Sequence, residues 1–255
     1  MSSALTESID VAQVVLYVFW AFFFGLIFWL RREDRREGYP LESDKTRRLT
    51  AITPAFIPPP KTFLLPHGGS VQAPRFDRDT RALLAQPTSD ASGAPLQPTG
   101  EPLLAGVGPS AFAPRADTPE LTREGHDLIV PMRVASDFAV NAGPDPRGWK
   151  VVAADGKVAG VIKDLWVDRA DIMVRYLEVE LASADAGTRL LPITMLRLLR
   201  EPRSVEVFAV RAEHFAHVPT LKDADRITLL EEERICAFYA GGRLYAEPKR
   251  LGPVL

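Results

Sequence analysis

Residues 11–30 read VAQVVLYVFWAFFFGLIFWL, twenty in a row without a charged side chain, with Gln13 the one strongly polar group among them. As an α-helix rising 1.5 Å per residue, this stretch is about 30 Å long, which matches the hydrocarbon thickness of a bilayer. Thirteen of the twenty are Leu, Ile, Phe or Val. At roughly −0.3 to −0.6 kcal/mol each they favour insertion by about −4 to −8 kcal/mol. The alternative is a cleaved signal peptide, which needs a positive leader, a short apolar core and a small-residue cleavage site. Here Glu7 and Asp10 precede the core, the core is long, and RREDRREG follows it. None of the 31 Lys and Arg lies in residues 1–30, and Arg31, Arg32, Arg35 and Arg36 come directly after the span. The positive-inside rule then predicts a transmembrane helix over 11–31, with residues 1–10 outside and the remainder in the cytoplasm. Trp29 sits where an interfacial anchor belongs; Trp20 is mid-span and is expected against lipid tails or another helix. A single helix forms neither a channel nor a transporter, so it anchors the chain or joins a larger assembly.

For 255 residues the formal net charge is only −2, with pI near 6.1. A nucleic-acid binder usually carries a strongly basic domain, so that class is disfavoured. Cys236 is the sole cysteine, which excludes an intrachain disulfide and a CxxC-type metal site.

Residues 32–119 form a second region, an extended arm at the membrane surface. Fourteen of the 22 prolines lie in residues 39–119, and proline breaks both helices and sheet ladders. The composition alone also fits a disordered linker. Against that stand Phe56, Phe63, Leu64, Leu65, Phe76, Leu83, Leu84, Leu103, Leu104 and Phe112, which are expected to dock on another protein surface. Residues 89–100 read as the mobile piece of the arm.

Residues 120–255 read as a mainly β cytoplasmic domain. Residues 157–168 (KVAGVIKDLWVD) and 173–181 (MVRYLEVEL) are rich in β-branched and aromatic residues. In the second, Met173, Leu177, Val179 and Leu181 share one face of a period-2 strand. Asp155-Gly156 is a hairpin signal, and residues 188–192 and 204–210 look like further strands. Short strands at close spacing suggest a small antiparallel barrel or sandwich. Thr228 can cap a short C-terminal helix over 229–240, with Ile235, Phe238 and Tyr239 as its apolar stripe and Gly241-Gly242 as its end.

The strings REGYPLE (36–42), PKTFLLPHG (60–68), PTGEP (98–102), GVGP (106–109), DLWVD (164–168), YLEVEL (176–181), TRLLP (188–192), TLLEE (228–232) and AGGRLYAEPKR (240–250) occur in one order across nearly the whole chain. In that ordered set the sequence resembles the H subunit of the photosynthetic reaction centre of purple bacteria. The resemblance implies a β barrel of the PRC type over 120–255. It also implies L and M partner subunits, with a light-harvesting antenna, a cytochrome subunit and membrane lipids as further neighbours, in the bacterial intracytoplasmic photosynthetic membrane. Bacteriochlorophyll, bacteriopheophytin, quinones and a non-haem iron would be held by the partners, with none bound by this chain alone. In keeping with that, none of the four His lies in residues 11–30.

Walker A, HExxH, GxSxG and GxGxxG strings are missing from the sequence, so an enzyme acting alone has little support. His214 and His217 are spaced for one helical face, yet two loop histidines are more often solvated than metal-bound. The chemistry that remains is proton transfer. A quinone that accepts two electrons takes up two protons, and a buried site needs titratable groups within hydrogen-bond reach of each other or of a bridging water. The resemblance places the proton inlet after Pro119-Glu120-Leu121. The family has two histidines there; His126 matches the second and Glu124 stands in place of the first. It further matches Asp171 to a glutamate near the secondary quinone, Asp168 to an acid beside it and Arg175 to a basic partner. Tyr39 would pack near the primary quinone. The structural alternative is a solvated surface charge for each of the proton-path groups and a generic interfacial tyrosine for Tyr39. Three functions follow: a non-catalytic H subunit, a membrane-tethered adaptor whose barrel binds another protein, or a membrane-bound enzyme using Asp168, Asp171 and His126.

Overall fold

The computed structural model describes residues 10–39, 41, 43, 46, 48, 57–75, 81–141, 143–182 and 187–251. Residues 1–9, Pro40, Glu42, Phe56 and Phe76 lie outside them. The chain divides into two units, Met1–Arg81 and Ala82–Leu255.

In the first unit, helix α1 (Val11–Glu33) begins at Asp10, whose carboxylate accepts the Ala12 N–H at 3.0 Å. That satisfies one of the orphan amides of the first turn. Arg31 and Arg32 lie in the last turn, where cations complement the helix dipole. No α1 side chain is buried. A helix that is apolar all round must find its apolar surroundings outside itself, and its length and mean hydropathy of 2.2 suffice for a membrane span. Trp20 packs against Phe19, Phe23 and Phe24 of its own helix at centroid distances of 5.5–5.7 Å; Trp29 is exposed.

Strands β1 (Lys61–Leu64) and β2 (Ser70–Ala73) form an antiparallel hairpin inside the proline-rich arm. Arg36 ties it to the foot of α1. Its guanidinium donates to Glu33 at 2.7 and 2.9 Å and to the carbonyls of Pro59 and Ala73 at 2.9 Å each. Phe63, Leu64 and Leu65 remain exposed on this hairpin.

The second unit opens with another hairpin, β3 (Ala85–Pro87) with β4 (Leu96–Pro98). The stretch expected to be mobile, 89–100, supplies its turn and second strand, closed by Thr88 N–H to Pro95 O at 2.9 Å. Next come β5 (Ile129–Pro131), β6 (Lys150–Val152), β7 (Val158–Asp168), β8 (Met173–Leu181), β9 (Thr188–Pro192), β10 (Leu196–Leu199) and β11 (Ser204–Val207), then helix α2 (Leu229–Tyr245). Asp155-Gly156 makes the β6–β7 turn, with Gly156 at φ 75°.

The sheet order is β10-β11-β6-β7-β8-β9, with β5 also on β7; all pairs are antiparallel except β11 with β6. Laid flat, six strands about 4.8 Å apart would separate β10 from β9 by roughly 24 Å. Yet the two are joined by three residues, Ile193–Met195, a link of at most about 14 Å. The sheet is therefore rolled. No ladder joins β9 to β10 among the described residues, so the roll is closed by chain and core rather than by hydrogen bonds. Trp166, Leu177, Val179 and Val205 are fully buried in it.

The structure adds a buried second face to β8 and corrects the end expected for the C-terminal helix. On β8, Leu177, Val179 and Leu181 are buried, but so are Tyr176 and Glu178 from the opposite face. That face is covered by α2 and by the segment bearing Arg133, as Tyr176 bonds to Glu232 and Glu178 to Arg133 show. Helix α2 also does not end at Gly241-Gly242; it runs on to Tyr245. A Cβ on Gly241 would meet Ser110 Cβ at 2.7 Å, and one on Gly242 would strike Val210 and come 2.8 Å from Ala209 O. These glycines serve close packing rather than termination.

Candidate functional site

Three segments of the second unit meet at a cleft of about 350 Å³: the 120–129 segment, the β7–β8 turn and the first turns of α2. Its walls carry Glu120, Asp168, Asp171, Arg175, Tyr176 and Glu232.

The β7–β8 turn is built around Asp168. Its Oδ1 accepts the N–H groups of Ala170 at 2.9 Å and Asp171 at 3.0 Å, the local bonding that makes Asp a turn former. Its Oδ2 accepts Arg175 Nε at 3.0 Å and Nη2 at 2.9 Å. Arg175 Nη2 also reaches Asp171 Oδ2 at 2.6 Å. The turn's apex, Ile172, has φ 53°, a conformation that costs a β-branched residue about 1–2 kcal/mol. Ile172 is 76% exposed.

Two carboxyl groups in this cleft are pushed in opposite directions. Burial disfavours the charge on Asp168, but the Asp171 amide, the Arg175 guanidinium and the Ala170 amide outweigh it and hold the carboxyl below its usual range. Burial raises Glu232; the hydrogen bond from Tyr176 Oη at 2.8 Å opposes it, and the charge of Glu120 adds to it, leaving Glu232 above the ordinary value. Asp168 is thus held towards its charged form beside Arg175, and Glu232 towards its neutral form.

Of the residues singled out in the sequence, the cleft gathers Glu120, Asp168, Asp171 and Arg175. Glu124 and His126 are exposed and lie at the tip of a small loop, where Leu121 bridges Asp127 and Thr122 N–H donates to His126 O at 2.7 Å. The base of that loop, where Leu128 N–H donates to Glu120 O at 2.8 Å, is in the cleft wall. Tyr39 belongs to the first unit, with the Arg35 guanidinium 5.5 Å over its ring. His214 Nδ1 accepts the Arg211 N–H at 3.3 Å. Cys236 is half-buried, 3.7 Å from Tyr176 Oη, and burial pushes its thiol up. Among the described residues, no group of three or more His, Cys, Asp or Glu side chains is arranged to hold a metal.

Glu232 was missing from the sequence-based candidates. Its signal was present: Glu232, Ile235, Cys236 and Tyr239 stand at i, i+3, i+4 and i+7, so an acid sits on the inward face of an amphipathic helix.

Compared with protein families, residues 3–134 match the photosynthetic reaction centre H-chain N-terminal region. Residues 139–214, which contain β6 to β11, match the PRC-barrel domain. The first match takes in more than half of the chain and the second follows it directly, over the rolled sheet. An apolar membrane helix, a hairpin-bearing arm and a PRC barrel in this order place the chain in the family of photosynthetic reaction centre H chains.

Proposed function

We propose that this membrane-anchored subunit caps the cytoplasmic face of the L and M subunits, shields their quinones from water and carries part of the proton path to the secondary quinone. The observation that carries this reading is the cleft, where three further carboxyl groups, Glu120, Asp171 and Glu232, surround the Asp168–Arg175 pair. Protons would be collected at Glu124 and His126, which are exposed at the loop tip. They would pass by way of Glu120 to Glu232 and Asp171, directly or through water. Tyr176, a buried phenol whose ionisation burial disfavours, stays protonated and donates to Glu232.

The partners would hold bacteriochlorophyll, bacteriopheophytin, the quinones and a non-haem iron, and the quinone's two-electron reduction consumes the two protons. The arginines after α1 orient the barrel to the cytoplasm of a photosynthetic membrane. Exposed Phe63, Leu64, Leu65, Leu83 and Leu84 would dock the arm on the partners, Tyr39 would pack near the primary quinone, and Trp20 and Trp29 would face lipid or a neighbouring helix.

In the assembled complex, Asp171→Asn should slow flash-induced proton uptake roughly ten-fold or more while primary charge separation stays unchanged. An unaltered uptake rate removes Asp171 from the path.

A further inference from the structure

The acids of the cleft come from distant parts of the chain, and a small closed network joins two of those parts. Thr228 caps α2: its Oγ1 accepts the Glu231 N–H at 3.1 Å, and Glu231 Oε2 accepts the Thr228 N–H at 2.9 Å. Glu231 Oε1 accepts the N–H of Lys222 at 2.8 Å. The Lys222 ammonium is paired with Asp117 Oδ2, and Asp117 Oδ1 accepts a hydrogen bond from Thr228 Oγ1 at 2.9 Å. Asp117, Lys222, Glu231 and Thr228 thereby form a ring. Beside it, two otherwise orphaned amides of α2, those of Leu229 and Leu230, donate to the carbonyls of Thr118 at 3.1 Å and Ala116 at 3.2 Å.

We propose that Asp117 is a positioning residue for the proton path: it latches the segment that carries Glu120 to the helix turn that carries Glu232. Glu120 follows Asp117 by three residues, and Glu232 directly follows Glu231 of the ring. The inference rests on the proton-path reading above and adds to it the device that sets the spacing of two of its members. Asp117 does not line the cleft, and its side chain is 39% exposed, so truncating it opens no core cavity. The Thr118 and Ala116 backbone bonds survive its loss and preserve the fold, while the latched register loosens. The charged and titratable groups facing Glu232 are Arg175 and Tyr176 from β8, Asp168 and Asp171 from the β7–β8 turn, Glu120 and Arg115 from the segment before β5, and Cys236 from α2. Releasing the latch lets Glu120 withdraw and water enter. Both changes move Glu232 back towards an ordinary carboxyl group.

The test uses the whole reaction-centre complex, with light-induced infrared difference spectra in which the Glu232 carboxyl band is assigned by its loss in Glu232→Gln. Asp117→Ala should lower the titration midpoint of that band by roughly half to one pH unit and slow proton uptake about three- to ten-fold. Should Asp117→Ala fail to assemble, two milder variants carry the test: Asp117→Asn keeps the acceptor for Thr228, and Lys222→Met removes only the cation. Both should shift the midpoint in the same direction by less. An unmoved midpoint in Asp117→Asn and Lys222→Met overturns the latch. A shifted midpoint with normal proton uptake in both Asp117→Asn and Glu232→Gln supports the latch and overturns the relay reading instead.

Discussion

Two arginine–carboxylate clusters sit on the same β7–β8 hairpin, and they are built for different ends. At Asp164 and Glu178, which are cross-strand partners, one arginine serves every acid in reach. Arg133 donates to Asp164 Oδ2 at 3.2 Å, Glu178 Oε2 at 2.6 Å, Asp225 Oδ1 at 2.9 Å and the Ala224 carbonyl. Trp166 Nε1 completes Glu178 at 3.0 Å, and the Arg133 and Leu165 amides complete Asp164 at 3.1 and 2.8 Å. Asp164 and Glu178 are buried, and every charge there has a counter-charge. Four residues further along β7, Arg175 pairs with Asp168 and Asp171, while among the described residues Glu120 and Glu232 share the cleft without a salt bridge to an arginine. The first cluster is saturated, and the second leaves two acids outside its ion pairs. The contrast lies in the count of partners, since both clusters use the same residue types.

The largest effect expected from breaking this contrast is at the saturated cluster. Arg133→Ala leaves buried Asp164 without a cation and Glu178 with only Lys163 Nζ, 3.8 Å away, and removing one partner of a buried pair costs about 3–5 kcal/mol. Chemical denaturation of the purified chain in detergent, followed by tryptophan fluorescence through Trp166, measures it. A loss under 1 kcal/mol would mean that water replaces the guanidinium, and the two clusters would then be alike.

Asp168→Asn comes next. It removes charge-assisted hydrogen bonds worth about 1.5–3 kcal/mol, and its pH dependence has a definite sign. The folded protein holds Asp168 below its ordinary value of 3.8, so the unfolded chain binds more protons in the interval between the two. Its stabilisation is complete above pH 3.8 and is lost as pH falls through the folded value. The gap between wild type and Asp168→Asn should therefore close in acid.

Ile172→Asn sharpens the comparison from the side of strain. Asn tolerates the left-handed backbone that Ile172 is forced into at φ 53°, so this variant should gain about 1 kcal/mol with Asp168 and Arg175 undisturbed. A loss of stability would show that the exposed Ile172 side chain packs against something in the preparation tested.

Glu232→Gln is the smallest effect and is read by its sign. Glu232 is held above its ordinary value of 4.5, so between that value and the folded one the native state binds more protons than the unfolded chain. Wild-type stability then falls as pH rises through that interval. The glutamine, which never ionises, should gain on wild type as pH increases, the opposite trend to Asp168→Asn. Parallel slopes for the two variants would mean that both acids are fixed anions.

The parts of the molecule that were legible in the sequence are those decided by neighbours a few residues away. The α1 span follows from twenty uncharged residues, β7 and β8 from their β-branched and aromatic content, and the α2 start from Thr228 and Glu231. The hairpins β1–β2 and β3–β4 escaped because prolines dominate their surroundings. Yet Pro60 and Pro74 lie just outside β1–β2, and Pro87 and Pro98 end their strands, positions where a missing N–H costs little. The continuation of α2 through Gly241-Gly242 escaped because a glycine pair reads as a stop unless the closeness of Ser110, Ala209 and Val210 is known. Asp168, Asp171 and Arg175 were reached through the family resemblance, as composition and spacing alone also allow a solvated hairpin.

The sequence by itself determined that the chain is anchored by one apolar helix, that a β domain follows a proline-rich arm, and which family its ordered strings resemble. These rest on composition and on periodicity within single elements, which act through adjacent turns and alternate residues. Only the tertiary structure decided which acids share a cleft, that Glu232 joins them while Glu124 and His126 stay at an exposed loop tip, and that Asp168 is bound by Arg175 and two turn amides. Proton affinity depends on burial and on charges brought near by folding, and Glu120, Asp168 and Glu232 lie more than 40 residues apart in the chain.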